Sequence, residues 1–142
     1  MKIQDFYSHY VAWRPNYYRR LYKSWFYLKN WKEFLSADGK SPFKTFLFRN
    51  GICFDLLDET TGLQVFDEIF IHEVYDFAGA KNICCVIDLG ANMGLFSLYA
   101  YMKWKNASIF SVEASPLTFS LFSRNLTENH LEDRIHPLNI AL

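Results

Sequence analysis

The sequence predicts an α/β domain on a partial parallel sheet, preceded by a helical arm and a β-hairpin. Three observations carry this. After residue 82, short apolar β-rich runs alternate with helical stretches, the pattern of right-handed βαβ units in a doubly wound sheet. The run Ile83-Cys84-Cys85-Val86-Ile87 is apolar throughout, as expected of a parallel strand covered on both faces. Asn50-Gly51, between two short β-rich runs, is the strongest short-range signal of a hairpin. With 142 residues, 51% hydrophobic and 21% charged, the chain is one domain's worth of sequence and can bury a core.

The arm covers residues 1–42. Pro15 suits a helix start, and from Asn16 to about Leu35 the residues Tyr18, Leu21, Tyr22, Trp25, Leu28 and Leu35 follow helical spacing. Arg19, Arg20, Lys23, Lys29 and Lys32 mostly occupy the other faces. Residues 36–42, rich in turn formers, end the helix. The net charge is zero, but residues 1–50 hold ten Lys/Arg against three Asp/Glu, and residues 51–142 hold five against twelve. Fifteen of the 27 aromatic residues also lie in the first 50. A segment of this kind could lie on an anionic membrane surface or contact nucleic acid. The preferred reading is that its apolar stripe packs on the following domain and its cations are solvated. No nucleic acid is then expected as a partner, and membrane-surface contact by the arm is the disfavoured alternative.

Next come the hairpin runs Phe43–Phe48 and Ile52–Leu56, joined by Arg49-Asn50-Gly51. Thr60-Thr61-Gly62 opens a helix on which Phe66, Ile69, Phe70, Val74 and Phe77 share one face, and Gly79 ends it. The strand Ile83–Ile87 leads into a glycine-bearing loop, Asp88–Gly94, and a helix from Leu95 to about Trp104. A second strand spans Ser108–Val112. Ser115-Pro116 supplies an N-cap and first position for a helix to about Glu128. A third strand spans Ile135–Leu142, and Pro137 places it at a sheet edge. The three cysteines, two of them adjacent, suggest neither a disulfide framework nor a metal site and read as buried small apolar residues. His72, His130 and His136 read as surface or helix-end residues rather than bases. No apolar run approaches the ~18–20 residues of a membrane span, and the N-terminus lacks the apolar core of a signal peptide. A cytoplasmic protein is expected.

The chemistry lies in Val86-Ile87-Asp88-Leu89-Gly90-Ala91-Asn92-Met93-Gly94-Leu95-Phe96. A buried strand delivers an acidic residue, two glycines four apart, and a helix. Gly90 and Gly94 remove side chains where a ligand approaches the backbone. A dinucleotide loop would need G-x-G-x-x-G, but positions 92 and 95 are Asn and Leu, and no Gly-Lys-Ser/Thr of a phosphate loop follows. Asp88 at the strand end repels phosphate and suits an ammonium group. Glu113 lies directly after the next strand, 23 residues from Gly90, where an acidic side chain accepts hydrogen bonds from ribose hydroxyls. Taken alone, Asp88 could cap the following helix and Glu113 could be a solvated strand end; their agreement points to a ligand with both an ammonium group and a ribose. That describes half a site for S-adenosylmethionine.

The stretch from Val86 to Ser97 resembles motif I of class I S-adenosylmethionine-dependent methyltransferases, in the D-x-G-A-N-x-G form of the FkbM family. Ser111-Val-Glu-Ala-Ser-Pro, with Asn125 and Asn129 downstream, resembles that family's second motif, although Ala114 stands where proline is more usual. Phe66-Asp-Glu-Ile and Glu73-Val-Tyr75-Asp resemble its pre-motif helix. The resemblance covers roughly residues 43–142. It implies a Rossmann-like class I methyltransferase fold, with S-adenosylmethionine as cofactor. Asp88 would bind the methionine amino group. Gly90, Ala91 and Gly94 would line the methionine portion, and Asn92 would shape the loop or touch the ligand. Glu113 would hold the ribose, with Ala114 and Ser115 near the adenine. The acceptor would be a hydroxyl of a small molecule or glycan, a sugar-containing compound or secondary metabolite.

The family's sheet runs 3-2-1-4-5-7-6, and this sequence supplies 3-2-1, so the residues read as the N-terminal part of a longer enzyme. No acceptor-binding residue or base is named on this reading. The alternative is a remnant that binds S-adenosylmethionine without catalysis. In either case the first strand of the sheet is an exposed apolar edge, on which the isolated chain is expected to associate.

Overall fold

The computed structural model describes residues 14–37, 43–76 and 82–141. Helix α1 (Arg14–Tyr27) stops where Leu28 bridges antiparallel to Phe48, and the chain re-enters a short helix, α2 (Trp31–Ser36), after Asn30. The spacing of apolar residues predicts one helix here. It breaks because residues 27–29 bond to the hairpin instead: Lys29 donates its N–H to the Leu47 carbonyl (2.7 Å) and Arg49 donates to the Tyr27 carbonyl (2.9 Å). Most of the expected turn, residues 38–42, lies outside the described residues.

Strands β1 (Thr45–Leu47) and β2 (Cys53–Asp55) form the expected antiparallel hairpin, with Phe46 opposite Phe54. Gly51 adopts φ +99°, a conformation the turn needs and a side chain would strain. Helix α3 (Glu59–Phe66) is N-capped by Asp58, whose carboxylate accepts the Thr61 N–H at 2.8 Å. It does not continue as an α-helix. Residues Asp67–Ile71 form a π-helical turn, which buries Ile69, Phe70 and Ile71 in succession. The chain leaves the helix afterwards, so Val74, expected on the buried face, is exposed. Phe77 and Gly79 lie outside the described residues.

The remaining elements alternate as the sequence predicts: β3 (Cys85–Leu89), α4 (Leu95–Lys103), β4 (Ser108–Val112), α5 (Pro116–Glu128) and β5 (Ile135–Leu138). The sheet order is β3-β4-β5 with both pairs parallel, the Rossmann-like 3-2-1 order. Pro137 sits on the edge strand β5, opposite Ser111, which in turn is opposite Asp88. Strand β3 begins two residues later than expected, and Asp88 lies inside it.

Only one face of this sheet is covered among the described residues. Asp88, Ile109 and Ser111 are buried, whereas Ile87 and Leu89 are 66% and 64% exposed. The two crossovers step in the same direction along the sheet, so connections of one hand put α4 and α5 on one side. The expectation that β3 is covered on both faces therefore fails for the described residues. The cysteines fail with it: Cys84, Cys85 and also Cys53 are exposed thiols.

The core centres on phenylalanine. Phe34, Phe46, Phe48, Phe54, Phe66 and Phe70 are fully buried. Phe66 stacks on Phe46 (4.5 Å between centroids) and on Phe70 (4.7 Å), and Phe70 meets Tyr99 of α4 edge-on at 5.4 Å. Each such pair adds about 1 kcal/mol beyond the area it buries. The cluster joins the arm, the hairpin, α3 and α4 into one body of apolar contacts.

The hairpin's outer edges are covered by side-chain amides. Asn30 accepts the Leu47 N–H (3.0 Å) and donates to the Thr45 carbonyl (2.9 Å), as a peptide unit of a neighbouring strand would. On the opposite edge, the Asn125 amide makes the same pair of bonds to the Asp55 backbone, at 3.0 Å each. Asn129 does so for Cys53, at 2.8 and 2.7 Å. Asn125 and Asn129 thus tie α5 to β2.

Helix α1 docks on a face other than the expected one: of that stripe Leu28 is buried, while Tyr18, Tyr22 and Trp25 point outward. Arg20 pairs with Asp67 (3.0 Å) and Lys23 with Glu73 (2.7 Å), while Arg19 donates to the His72 carbonyl (3.0 Å). Tyr17, Tyr18, Tyr22, Trp25 and Phe26 are each between 50% and 60% exposed. The acidic π-helical turn and the residues after it supply partners for Arg19, Arg20 and Lys23, which are paired, whereas Lys29 and Lys32 stay exposed as expected. Among the described residues, no helix is long and apolar enough to cross a membrane.

Candidate functional site

The site forms where β3 and β4 end. Asp88 points to the covered side of the sheet and is 8% exposed. Its Oδ2 accepts the Ser97 hydroxyl at 2.6 Å, and the Ser97 hydroxyl lies 2.8 Å from that of Ser111. Both serines are fully buried. An ionised carboxylate only accepts, so Ser97 donates its O–H to Asp88 and Ser111 donates its own O–H to Ser97. One oxygen of Asp88 is thereby committed, and Oδ1 is left for a ligand. Burial pushes the Asp88 carboxyl above its ordinary value; the Ser97 hydrogen bond opposes the rise and the Glu113 charge adds to it.

The loop after β3 folds over the end of β4. Gly90 and Ala91 both donate N–H groups to the Val112 carbonyl, at 2.9 and 2.8 Å. Gly90 has φ +84° and open space where a Cβ would stand. Gly94 has φ +96°, but its Cβ position lies 2.2 Å from the Phe122 ring. The two glycines therefore do different work: Gly90 keeps backbone accessible, while Gly94 lets α4 pack on Phe122. Asn92 is in the left-handed region at φ +52°, and its N–H donates to Glu113 Oε2 at 2.8 Å. Glu113 Oε1 accepts the Ser115 N–H, also at 2.8 Å. Glu113 thus clasps the β3 loop to the start of α5. Ser115 caps that helix through Oγ, which accepts the Thr118 N–H at 3.3 Å. Ala114 is exposed beside it.

A cleft of about 400 Å³ opens over this loop. Its floor is Asp88, Leu89, Gly90, Ala91 and Asn92. Its walls come from the π-helical turn (Glu68, Ile69), from Val65, and from Tyr75 and Phe96, whose rings are 4.8 Å apart. Two carboxylates line the cleft, and none of the lining residues is Lys, Arg or His. The cleft thus favours a cation.

Of the residues singled out in the sequence, Asp88, Gly90, Ala91 and Asn92 line the cleft, and Glu113 and Ser115 are one hydrogen bond from that loop or from each other. Gly94 and Ala114 do not line it. Sequence reasoning missed Ser97 and Ser111. The signal was available for Ser97: it is a polar residue on the apolar inner face of α4, between Leu95 and Leu98. It also gave no role to Glu68, Ile69 or Tyr75 as cleft walls. His72 and His130 are exposed at helix ends, as expected.

No family model matches the chain. The sequence is 36% identical over 78 residues to "Methyltransferase sdnD" of Sordaria araneosa. It is 41% identical over 59 residues to "Methyltransferase 1" of Beauveria bassiana (strain ARSEF 2860). The aligned segments take in 55% and 42% of this chain but 30% and 24% of the relatives, so the match spans under a third of either relative's length. Among solved structures, a SAM-dependent methyltransferase from Agrobacterium tumefaciens overlaps 71% of this chain and 34% of its own, at 20% identity and a TM-score of 0.48. In sequence, the chain is similar to part of two fungal methyltransferases.

Proposed function

We propose that this chain carries the S-adenosylmethionine-binding part of a methyltransferase of the FkbM type, acting on a hydroxyl of a small-molecule or glycan acceptor. The observation that carries the reading is Asp88: a buried carboxylate, one oxygen fixed by Ser97, at the floor of a cleft lined by two carboxylates and no cations. The likeness to two fungal methyltransferases supports the same chemistry.

The residues present fit this cofactor. Asp88 Oδ1 would take the ammonium group, at the cost of desolvation that a cationic partner offsets. The open Cβ position of Gly90 leaves backbone free to meet the methionine portion. Glu113 uses two of its roughly four lone-pair sites on backbone N–H groups, which leaves acceptors for ribose hydroxyls and holds the carboxylate still. The aromatic pair Tyr75 and Phe96 and the Glu68 carboxylate would face the cationic end of the ligand. When bound, the cofactor supplies an electrophilic sulfonium methyl group. The chain's own residues bind it, orient it and keep water from Asp88.

Calorimetry on the full chain with S-adenosylmethionine tests the assignment. Asp88→Ala/Glu113→Ala is expected to lose binding, and equal affinity in the variant and the parent would sink it.

A further inference from the structure

We infer that the outward face of α1 is a docking surface for an anionic lipid bilayer. Five aromatic side chains of this helix, Tyr17, Tyr18, Tyr22, Trp25 and Phe26, stand at least half exposed. Isolated exposed aromatics are ordinary, but a contiguous face of them on one helix is not. Between this face and α2 runs a shallow groove of about 560 Å³ lined by Tyr18, Leu21, Tyr22, Trp25 and Trp31.

Charge identifies the occupant. Cations border the groove at both tryptophans: the Arg49 guanidinium lies 5.2 Å from the Trp25 ring and the Lys32 ammonium 5.6 Å from Trp31. Lys29 and Lys44 are exposed nearby in sequence. None of these four takes part in an ion pair among the described residues, and Glu33 is the one exposed carboxylate described between residues 14 and 50. Cations at both tryptophans, in a segment whose exposed charge is predominantly positive, match the headgroup layer of an anionic bilayer. There amphipathic rings rest at the interface and each basic residue near the surface contributes roughly a fivefold gain in partitioning.

The other face of α1 explains why the helix presents itself this way. Arg20 and Lys23 are held by Asp67 and Glu73, so the helix is pinned with its aromatic side outward before any surface is met. The ordering cost is already met within the fold, as it is not for a peptide that becomes helical only on binding. The placement is independent of what the cleft binds.

The test is co-sedimentation of the full chain with vesicles of phosphatidylcholine, with and without one quarter phosphatidylserine. We expect pelleting with the anionic vesicles, weakening as salt rises. Tyr22→Ser/Trp25→Ser should reduce it more than tenfold with an unchanged thermal melt, and Lys29→Gln/Lys32→Gln by roughly fivefold per cation removed. Tyr18→Ser alone serves as a milder variant should the double one melt early. No pelleting, or pelleting equal in the aromatic variants, overturns the inference. So does a change of oligomeric state in these variants without a change in vesicle binding, which would mark a protein interface instead.

Discussion

Replacing each loop glycine by alanine separates the two roles assigned to them. At Gly94 the new Cβ would stand 2.2 Å from two ring carbons of Phe122, which is fully buried and cannot swing into solvent. A left-handed φ costs an L-residue roughly 1–2 kcal/mol, and forcing a methyl group into a packed core costs roughly 1–3 kcal/mol. Gly94→Ala should therefore lose about 3 kcal/mol, or roughly 10 °C in melting temperature for a chain of this size. At Gly90 the φ is also positive but the Cβ meets nothing within 4 Å. Gly90→Ala should lose only the conformational part, about 1–2 kcal/mol. Its larger effect should fall on binding in the cleft. Melting followed by circular dichroism measures both losses. The steric share is isolated by Gly94→Ala/Phe122→Leu, in which the smaller side chain makes room for the methyl group. That double variant should be more stable than the sum of its parts predicts, by about 1–2 kcal/mol. Additive losses at 94 and 122, or equal melting temperatures for the two alanine variants, would refute this division of labour.

Asp88 holds its proton to higher pH in the folded chain than in the unfolded one, so its charged form opposes folding. That contribution to stability is fully present below the ordinary carboxylate range and is lost as pH rises through the raised value. Asp88→Asn should accordingly melt higher than the parent at neutral pH while losing affinity for S-adenosylmethionine; a lower melting temperature together with retained binding counts against both readings of the residue. Asn125→Ala removes an acceptor and a donor from the Asp55 backbone and should cost about 2 kcal/mol. Hydrogen exchange at the Asp55 amide should accelerate in that variant, and unchanged protection would show that the amide is not what covers β2. Ile87→Lys, on the bare face of β3, should reduce self-association of the 142-residue chain in light scattering, whereas Val86→Lys, which packs against the core, should not. A parent chain that is monomeric at micromolar concentration would remove the premise.

What the sequence made legible was local. Asn50-Gly51 specifies its turn by backbone preference alone, and Ser115-Pro116 specifies a helix start by the hydrogen bonds the end of the helix needs. The βαβ alternation and the edge position of Pro137 follow from periodicity and from a missing N–H, and both are as the structure has them. Asp88, Gly90 and Glu113 are legible as a group because two successive strand ends bring them together, with Glu113 meeting the glycine loop through the Asn92 N–H. The departures have long-range causes. Apolar spacing alone could not orient α1, because the side that docks was decided by Asp67 and Glu73, about 50 residues away. An apolar strand such as β3 reads the same whether one face is covered or two. The π-helical turn arises because three consecutive apolar side chains compete for one core, and a pattern tuned to 3.6 residues per turn cannot register it. Asn125 and Asn129 belong to a motif in the sequence, but that their amides bind the β2 backbone appears only once α5 and β2 lie side by side.

The asparagine bonds along the hairpin set an order of events during synthesis. Asn30 precedes the strand it covers by 15 residues, so β1 emerges with its outer edge already provided for. Strand β2 has to wait for Asn125, 70 residues later. At a translation rate of roughly 5–20 residues per second, that is about 4–14 seconds in which one side of a freshly made hairpin is an open template for any other extended chain. The exposed interval closes only when α5 arrives, and α5 is also the helix whose first turn Glu113 clasps to the cleft loop. Completing the fold and assembling the cleft are in this way a single late step.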